Sequence, residues 1–444
     1  MYIEWIAETS KIQLSQKSAT MYDISSGVLT FQFGSWTQNV QVQVKSDFPD
    51  EKIGLPKHWK DVYTIPDTLP YVLKRDNTTL KLGPVIALIV FSDLKDMTIL
   101  EMNKYRAYFS DYPNIQGLVY LCGWNTIDTR KKQIKGFYFD PNVNGSSNHW
   151  KSGTFPYPGA AYNRQNLPKN VFDDLQTTMG DCIFNSFSPG SFNKWELWKR
   201  LSPIESLRSH LPATMLLTDI TVLENMLNQY DSIYLKPTGG TLSRGIRKVE
   251  KSPAGYIVTY PSFRNPAGSQ KLIEHPKSIQ KWFHKLQNKE YLAQQAITMK
   301  RYQNRPIDFR IIMQKDGKGK WDCSGVFGKF GKSGGIITNF SRSGYIRSGL
   351  KTFRQAFGMN NKKAQNKVEE IKKIAFEICR VFDQYGNYGD LGIDLMVDHD
   401  GKVWILEVNT KDTYHRFPLH INNKKLYRKI VTAPFRYGKF LAGF

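Results

Sequence analysis

The chain has 444 residues, 40% of them hydrophobic, and its 62 Lys+Arg against 39 Asp+Glu leave a net charge of +23. That length suits about two to four compact units, no apolar run approaches the ~20 residues of a bilayer span, and Met1-Tyr2-Ile3-Glu4 brings early acids where a secretory signal is basic, so neither a membrane nor an exported protein is expected. The positive excess favours anionic partners (nucleotides, nucleic acid, acidic peptides, anionic polymers or membrane surfaces) without choosing among them.

Residues 1 to about 80 read as β-rich. Val40-Gln41-Val42-Gln43-Val44 alternates as a half-buried strand does, Val28 to Phe33 is a second strand with Gly34-Ser35 as the turn, and Tyr71–Leu73 with Thr79–Leu82 reads as a hairpin. At Pro84 the pattern changes. Val85–Phe91 is continuously apolar, as a strand covered on both faces would be. A helix-compatible stretch over about 97–109 follows, then a second apolar run over 115–121, a βαβ rhythm. Residues 142–170 are rich in Asn, Gly, Ser and Pro and read as a long loop. Cys122, Cys182, Cys323 and Cys379 lie far apart without a CxxC pair, which predicts reduced, mostly buried thiols in the cytoplasm.

Further on, Asn193–Leu201 predicts a helix and Val222–Leu227 another. Ser232–Lys236 is a strand running into Pro237-Thr238-Gly239-Gly240, with Gly245 closing the loop. Glycines let backbone N–H groups approach phosphate oxygens and Lys236 adds a charge, although the GxxxxGK[ST] pattern is absent and an ordinary hairpin turn explains Gly-Gly equally well. Tyr291–Ile297 and Asp308–Gln314 are further strands, the second with Asp308 and Arg310 on one face. Asn339 and Arg342 stand in a polar turn after Gly335-Ile336-Ile337. Val368, Ile371, Ala375, Ile378 and Phe382 keep helical spacing.

The last motif, Gly392 to Asn409, reads as a hairpin turned at Asp398-His399-Asp400-Gly401. Glu407 and Asn409, two apart, share a face, and the hairpin folds Asp394 towards them. Two carboxylates and an amide oxygen make a hard site that suits Mg²⁺ with substrate phosphates. The eight histidines show no HxxxH or HExxH spacing and are expected on the surface or in loops.

The ordered series of lysine, Lys-Pro-Gly-rich loop, Gln-Gln segment, Asp-x-Arg, Asn-x-x-Arg and Asp…Glu-x-Asn resembles the ATP-grasp superfamily, and within it the YheC/YheD-type endospore coat-associated proteins. The likeness covers roughly residues 190–415. It implies an α/β (α+β) fold in three parts: a small β-rich domain over 1–83, an α/β pre-ATP-grasp-like domain over 84–190, and an ATP-grasp domain over 191–444 with nucleotide-binding lobes at about 205–295 and 296–415. It implies ATP and two Mg²⁺ ions as cofactors. Lys194 and Lys236 would contact the nucleotide with Gly239, Gly240 and Gly245, Gln294-Gln295-Ala296-Ile297 would meet adenine, and Asn339 would assist. Arg310 and Arg342 would be catalytic, and Asp394, Glu407 and Asn409 would hold metal. The chain departs from its relatives at Gln295 (often Glu), at Ser243 and Ser343 (Gly), and at Thr410-Lys411-Asp412 in place of a Pro-containing turn.

The activity so implied is ligation of an anionic carboxylate substrate to an amine through an acylphosphate, in the cytoplasm of a spore former, with spore-coat proteins as partners. A kinase of an anionic small molecule and a non-catalytic ATP-binding coat protein stay open. With no helix-turn-helix, zinc-finger or RNP pattern, nucleic acid is not an expected partner.

Overall fold

The computed structural model describes residues 1–143, 148–185, 193–239, 245–262, 265, 267–274, 277–286, 289–335, 338 and 344–444. They build four sheets in chain order, a mixed α/β architecture.

The first sheet runs, in space, Tyr2–Ile6, Lys52–Pro56, Lys11–Ser15, Trp36–Lys45, Gly27–Phe33, Thr79–Gly83, Val72–Asp76. Its alternation is the one the sequence shows: Val40 and Val42 are buried and Gln41 between them is exposed. The turn needs Gly34 at φ +63°, where a Cβ would stand 2.4 Å from the Tyr157 carbonyl oxygen. The second sheet centres on Val85–Phe91, buried at every position and flanked in parallel by Leu118–Asp128 and Ala160–Asn163. Burial on both faces explains the unbroken apolar run. The buried residues of these two sheets form one contiguous core, which also takes in Val431, Phe435 and Tyr437 of the C-terminal helix Lys424–Leu441.

Two expectations are corrected here. The stretch 142–170 is not one long loop: Trp150–Pro156 and Ala160–Asn163 are strands, because Trp150, Phe155 and Tyr162 point into the core. The helix over 97–109 is broken into Ile99–Asn103 and a 3-10 turn, Arg106–Asp111. The tighter turn brings the Tyr105 and Tyr108 rings to 5.6 Å and sends Tyr108 and Phe109 inward.

The third sheet is antiparallel throughout: Thr214–Leu216, Tyr291–Gln295, Ser232–Pro237, Arg247–Ser252, Gly255–Tyr260, Ser269–Glu274. The fourth runs Tyr345–Ser348, Trp321–Phe330, Arg305–Lys315, Asp390–Val397, Val403–Asn409, again antiparallel. The helix Asn361–Asp383 lays Ile371, Ile374, Ala375, Ile378 and Phe382 on one face of it. Its other face carries the polar residues of the site. Among the described residues no helix is long and apolar enough to cross a membrane.

Candidate functional site

The hairpin of Asp390–Val397 and Val403–Asn409 forms as its turn chemistry dictates. Gly401 takes φ +86°, and the Asp398 carboxylate accepts from the amides of Asp400 (3.0 Å) and Lys402 (2.8 Å) and from Trp404 Nε1 (2.8 Å). Asp394 pairs with Glu407 and Gly392 with Asn409 across the ladder, with a bulge after Asp394. On the other flank Asp394 faces Arg310. Alternation along Arg305–Lys315 sends Phe309 and Ile311 into the core and turns Asp308 and Arg310 the other way.

Asp394 is the hub. Its Oδ1 accepts from Arg310 Nε (2.8 Å) and Lys329 Nζ (2.9 Å), and its Oδ2 from Arg310 Nη2 (2.8 Å) and Asn409 Nδ2 (3.3 Å). Lys329 also reaches Asp308 at 3.2 Å, and Thr338 Oγ1 donates to Asp308. Arg310 Nη1 donates to the Thr413 carbonyl at 3.0 Å, and its guanidinium lies 5.4 Å from the Phe417 ring centre. Gly392 permits a close approach here: a Cβ would be 3.1 Å from Arg310 Nη1 and 3.2 Å from Thr413 Cα, so these neighbours would have to give by a few tenths of an ångström.

The cluster is two acids against two bases in a buried setting. Burial would raise the Asp394 carboxyl, but Arg310 and Lys329 override it and hold it well below the usual carboxylate range. Asp308 goes the other way. Burial pushes it up, Lys329 only partly offsets this, and its Oδ1 has no hydrogen-bond partner among the described residues.

The nucleotide-side candidates lie across from Glu407. Burial, with the neighbouring charge of Lys194, takes the Lys236 ammonium down to about 8 against the opposing pull of Glu407. Lys236 donates to Gln294 Oε1 at 2.6 Å, and Gln294 donates to Thr214 Oγ1 at 2.9 Å. The predicted helix is observed as Lys194–Leu201, capped by Asn193, with the Lys194 amide on the Thr238 carbonyl at 3.1 Å. That bond ties the first lysine to the start of the Gly-rich loop. Gly245 takes φ +80° against Pro237, while no described residue crowds Gly239. The amides of Gln295 and Ala296 already donate to the carbonyls of Ala213 (2.8 Å) and Ser232 (3.1 Å). Ile297 follows, half-buried. Gly240, Asn339 and Arg342 lie outside the described residues.

Two features escaped the sequence reading. His415 lies in a turn, as expected, but it is not at the surface: it is 2% exposed. Arg164 Nη1 donates to Tyr108 OH at 3.0 Å, which frees that hydroxyl to donate to His415 Nδ1 at 2.9 Å. Nε2 then carries the proton towards Asp390 Oδ2 (2.9 Å) and Thr413 Oγ1 (2.6 Å). Tyr162 OH, Thr413 Oγ1 (2.8 Å) and Gln314 Nε2 (2.9 Å) also donate to Asp390. The available signal was the spacing: Asp390, Gly392 and Asp394 share one face of a strand buried on both sides, so each acid needs partners from elsewhere. Arg247 was also missed; its Nε and Nη1 are enclosed beside the rings of Tyr260 and Tyr291 without hydrogen bonds to any described residue.

Among the described residues no three His, Cys, Asp or Glu side chains cluster closely enough to hold a metal ion. The oxygens that fit a hard cation are the half-buried Glu407 carboxylate, which bonds to no described residue, and Asn409 Oδ1, whose amide nitrogen is turned to Asp394 and Gly392. Asp394 differs, since its four acceptor positions are all taken.

A family model described as YheC/D like ATP-grasp matches residues 184–441, more than half of the chain. The chain belongs to the YheC/D-like ATP-grasp family. It is similar to endospore coat-associated protein YheD of Bacillus subtilis strain 168, at 26% identity over 384 residues, which is 82% of this chain and 80% of YheD. Its likeness to the coat-associated protein YheC of the same strain is 24% over 221 residues, 49% of this chain and 59% of YheC. Among solved structures the D-Ala:D-Ser ligase VanG of Enterococcus faecalis overlays with a TM-score of 0.46 at 12% identity, covering 80% of this chain and 98% of that one. The matched stretch of this YheC/D-like chain holds every residue of the Asp394 cluster, both lysines and the C-terminal helix.

Proposed function

We propose that the chain is an ATP- and Mg²⁺-dependent carboxylate–amine ligase, acting in the cytoplasm of a spore former on material of the endospore coat. The observation that carries this reading is the juxtaposition of Lys236 and Glu407 with the buried Arg310–Asp394–Lys329 cluster in an ATP-grasp chain. Lys194 and Lys236 bind phosphate oxygens. Glu407 and Asn409 Oδ1 would hold Mg²⁺, which would neutralise phosphate charge when bound. Arg310 spends three of its five N–H groups on Asp394 and Thr413. One N–H on each of Nη1 and Nη2 remains for the transferring phosphoryl group or the tetrahedral oxyanion. Asp394 fixes the fork so that these donors are aimed before substrate arrives.

The chemistry starts with attack of a substrate carboxylate on the γ-phosphorus, releasing ADP. An amine then attacks the acylphosphate and expels phosphate. Hydroxylamine trapping tests it: with ATP, Mg²⁺ and candidate acidic peptides, a ligase yields a hydroxamate. A stable phosphate ester without hydroxamate would instead identify a kinase, and ATP binding without turnover a structural protein.

A further inference from the structure

A second basic feature lies apart from the Lys236–Glu407 region. Between the α/β layer and the start of the C-terminal helix opens a cavity of about 1110 Å³. Lys104, Arg106, Arg416, Lys424 and Arg428 line it, and no Asp or Glu does among the described residues. The nearby acids are already engaged: Glu101 by Lys104, Asp111 by Arg436, Asp412 by Arg164, and the buried Asp140 by the Thr68 hydroxyl and the Asn142 amide. Arg416, Lys424 and Arg428 are exposed and make no side-chain hydrogen bond or ion pair to any described residue. The floor is aromatic, with Phe109 and Phe139 buried and Tyr427 half-buried.

Stability does not explain this placement. The first turn of Lys424–Leu441 contains Lys424 and Lys425 and no acid, although the positive end of the helix dipole favours acids there. An acidic partner would supply the opposing charge that the chain itself does not place there. The groove is also tied to the Arg310 cluster by one short segment. Thr413 gives its carbonyl to Arg310 and Phe417 sets its ring against the same guanidinium, while Arg416 between them lines the groove.

We infer that this groove binds an acidic polypeptide and leads it towards Arg310. Glutamate or aspartate side chains meet the unpaired bases, and their apolar stems and backbone lie on the aromatic floor. The choice of polypeptide over a nucleic acid rests on the ligase reading above, since a phosphodiester chain brings no carboxylate to activate.

The test is fluorescence anisotropy with a labelled oligo-glutamate at rising salt, on wild type, on Arg416→Glu/Lys424→Glu/Arg428→Glu, and on a control with the same charge change elsewhere, Lys17→Glu/Lys95→Glu/Lys131→Glu, all exposed. The groove variant should lose about tenfold or more in affinity, wild-type binding should weaken with salt, and the control should stay near wild type. Arg428→Glu alone should show an intermediate loss, and ATP affinity should be unchanged throughout. Absence of peptide binding, equal losses in the groove and control variants, or tighter binding of an oligodeoxynucleotide of equal charge would each overturn the assignment. Peptide binding without ATP binding would leave the groove standing and remove the ligase reading; ATP binding without peptide binding would do the reverse.

Discussion

Asp390 and Asp394 sit four residues apart on one strand, face the same way and are both buried, yet their surroundings are of opposite kinds. Asp394 is held chiefly by Arg310 and Lys329, donors that cannot become acceptors, with the Asn409 amide as a longer fourth bond. Asp390 is held by hydroxyls, an amide and an imidazole: Tyr162, Thr413, Gln314 and His415. The first arrangement fixes a charge next to the predicted phosphate site. The second stitches the α/β layer to the fourth sheet, since Tyr108, Tyr162 and Arg164 come from one and Asp390 and Gln314 from the other. A buried carboxylate can therefore serve orientation or architecture, and its donors tell which.

Amide substitution should separate the two most strongly. Asp394→Asn turns an NH₂ towards donors and strips two buried cations of their counter-charge, and a loss of about 3–5 kcal/mol is expected, with turnover abolished. Asp390→Asn should cost only about 1–2 kcal/mol, because hydroxyls rotate to accept from the new amide. Denaturant unfolding of both variants decides it; equal losses would break the contrast. Gly392→Ala, midway between them, should cost about 1–3 kcal/mol by forcing Arg310 and Thr413 apart, read by the same unfolding curves together with a lowered rate of hydroxamate formation.

Acid titration sharpens the contrast further. Burial would raise the Asp390 carboxyl, but His415 and its other donors hold it at about 2. The unfolded value is about 3.9, so the unfolded chain takes up the proton first. The stabilisation is therefore complete above about pH 4 and is lost as pH falls towards about 2. Asp394, also depressed, follows the same sign and persists to still lower pH. Asp390→Asn should flatten the upper part of this acid limb and leave the lower part. The smallest effect concerns Lys236, lowered to about 8. ATP affinity should decline as pH rises through that value, by about tenfold per unit at most, and Lys236→Arg should remove the decline in a calorimetric titration at each pH.

Much of this was legible in the sequence where local chemistry decides structure. The turn around Asp398 and Gly401 and the shared face of Glu407 and Asn409 follow from rules of turns and alternation. The helix Asn361–Asp383 follows from its apolar spacing. What failed to show depends on partners far along the chain. Tyr108 and His415 are 307 residues apart, and no spacing rule joins them. Trp150–Pro156 is a strand because its aromatics meet the core, against a composition that reads as loop. The saturation of Asp394 was hidden for the same reason, because Lys329 carries no motif and reaches it from two strands away, across Arg305–Lys315.

The central claim is that the Lys236–Glu407 region beside the Arg310–Asp394 cluster binds ATP with a divalent cation. Calorimetric titration of ATP, with Mg²⁺ and with excess chelator, into wild type, Lys236→Ala and Glu407→Ala tests it most directly. The account predicts Mg²⁺-dependent binding by wild type, about tenfold or greater weakening in Lys236→Ala, and loss of the Mg²⁺ dependence in Glu407→Ala. Wild type that fails to bind ATP, or variants that bind it as wild type does, would contradict it.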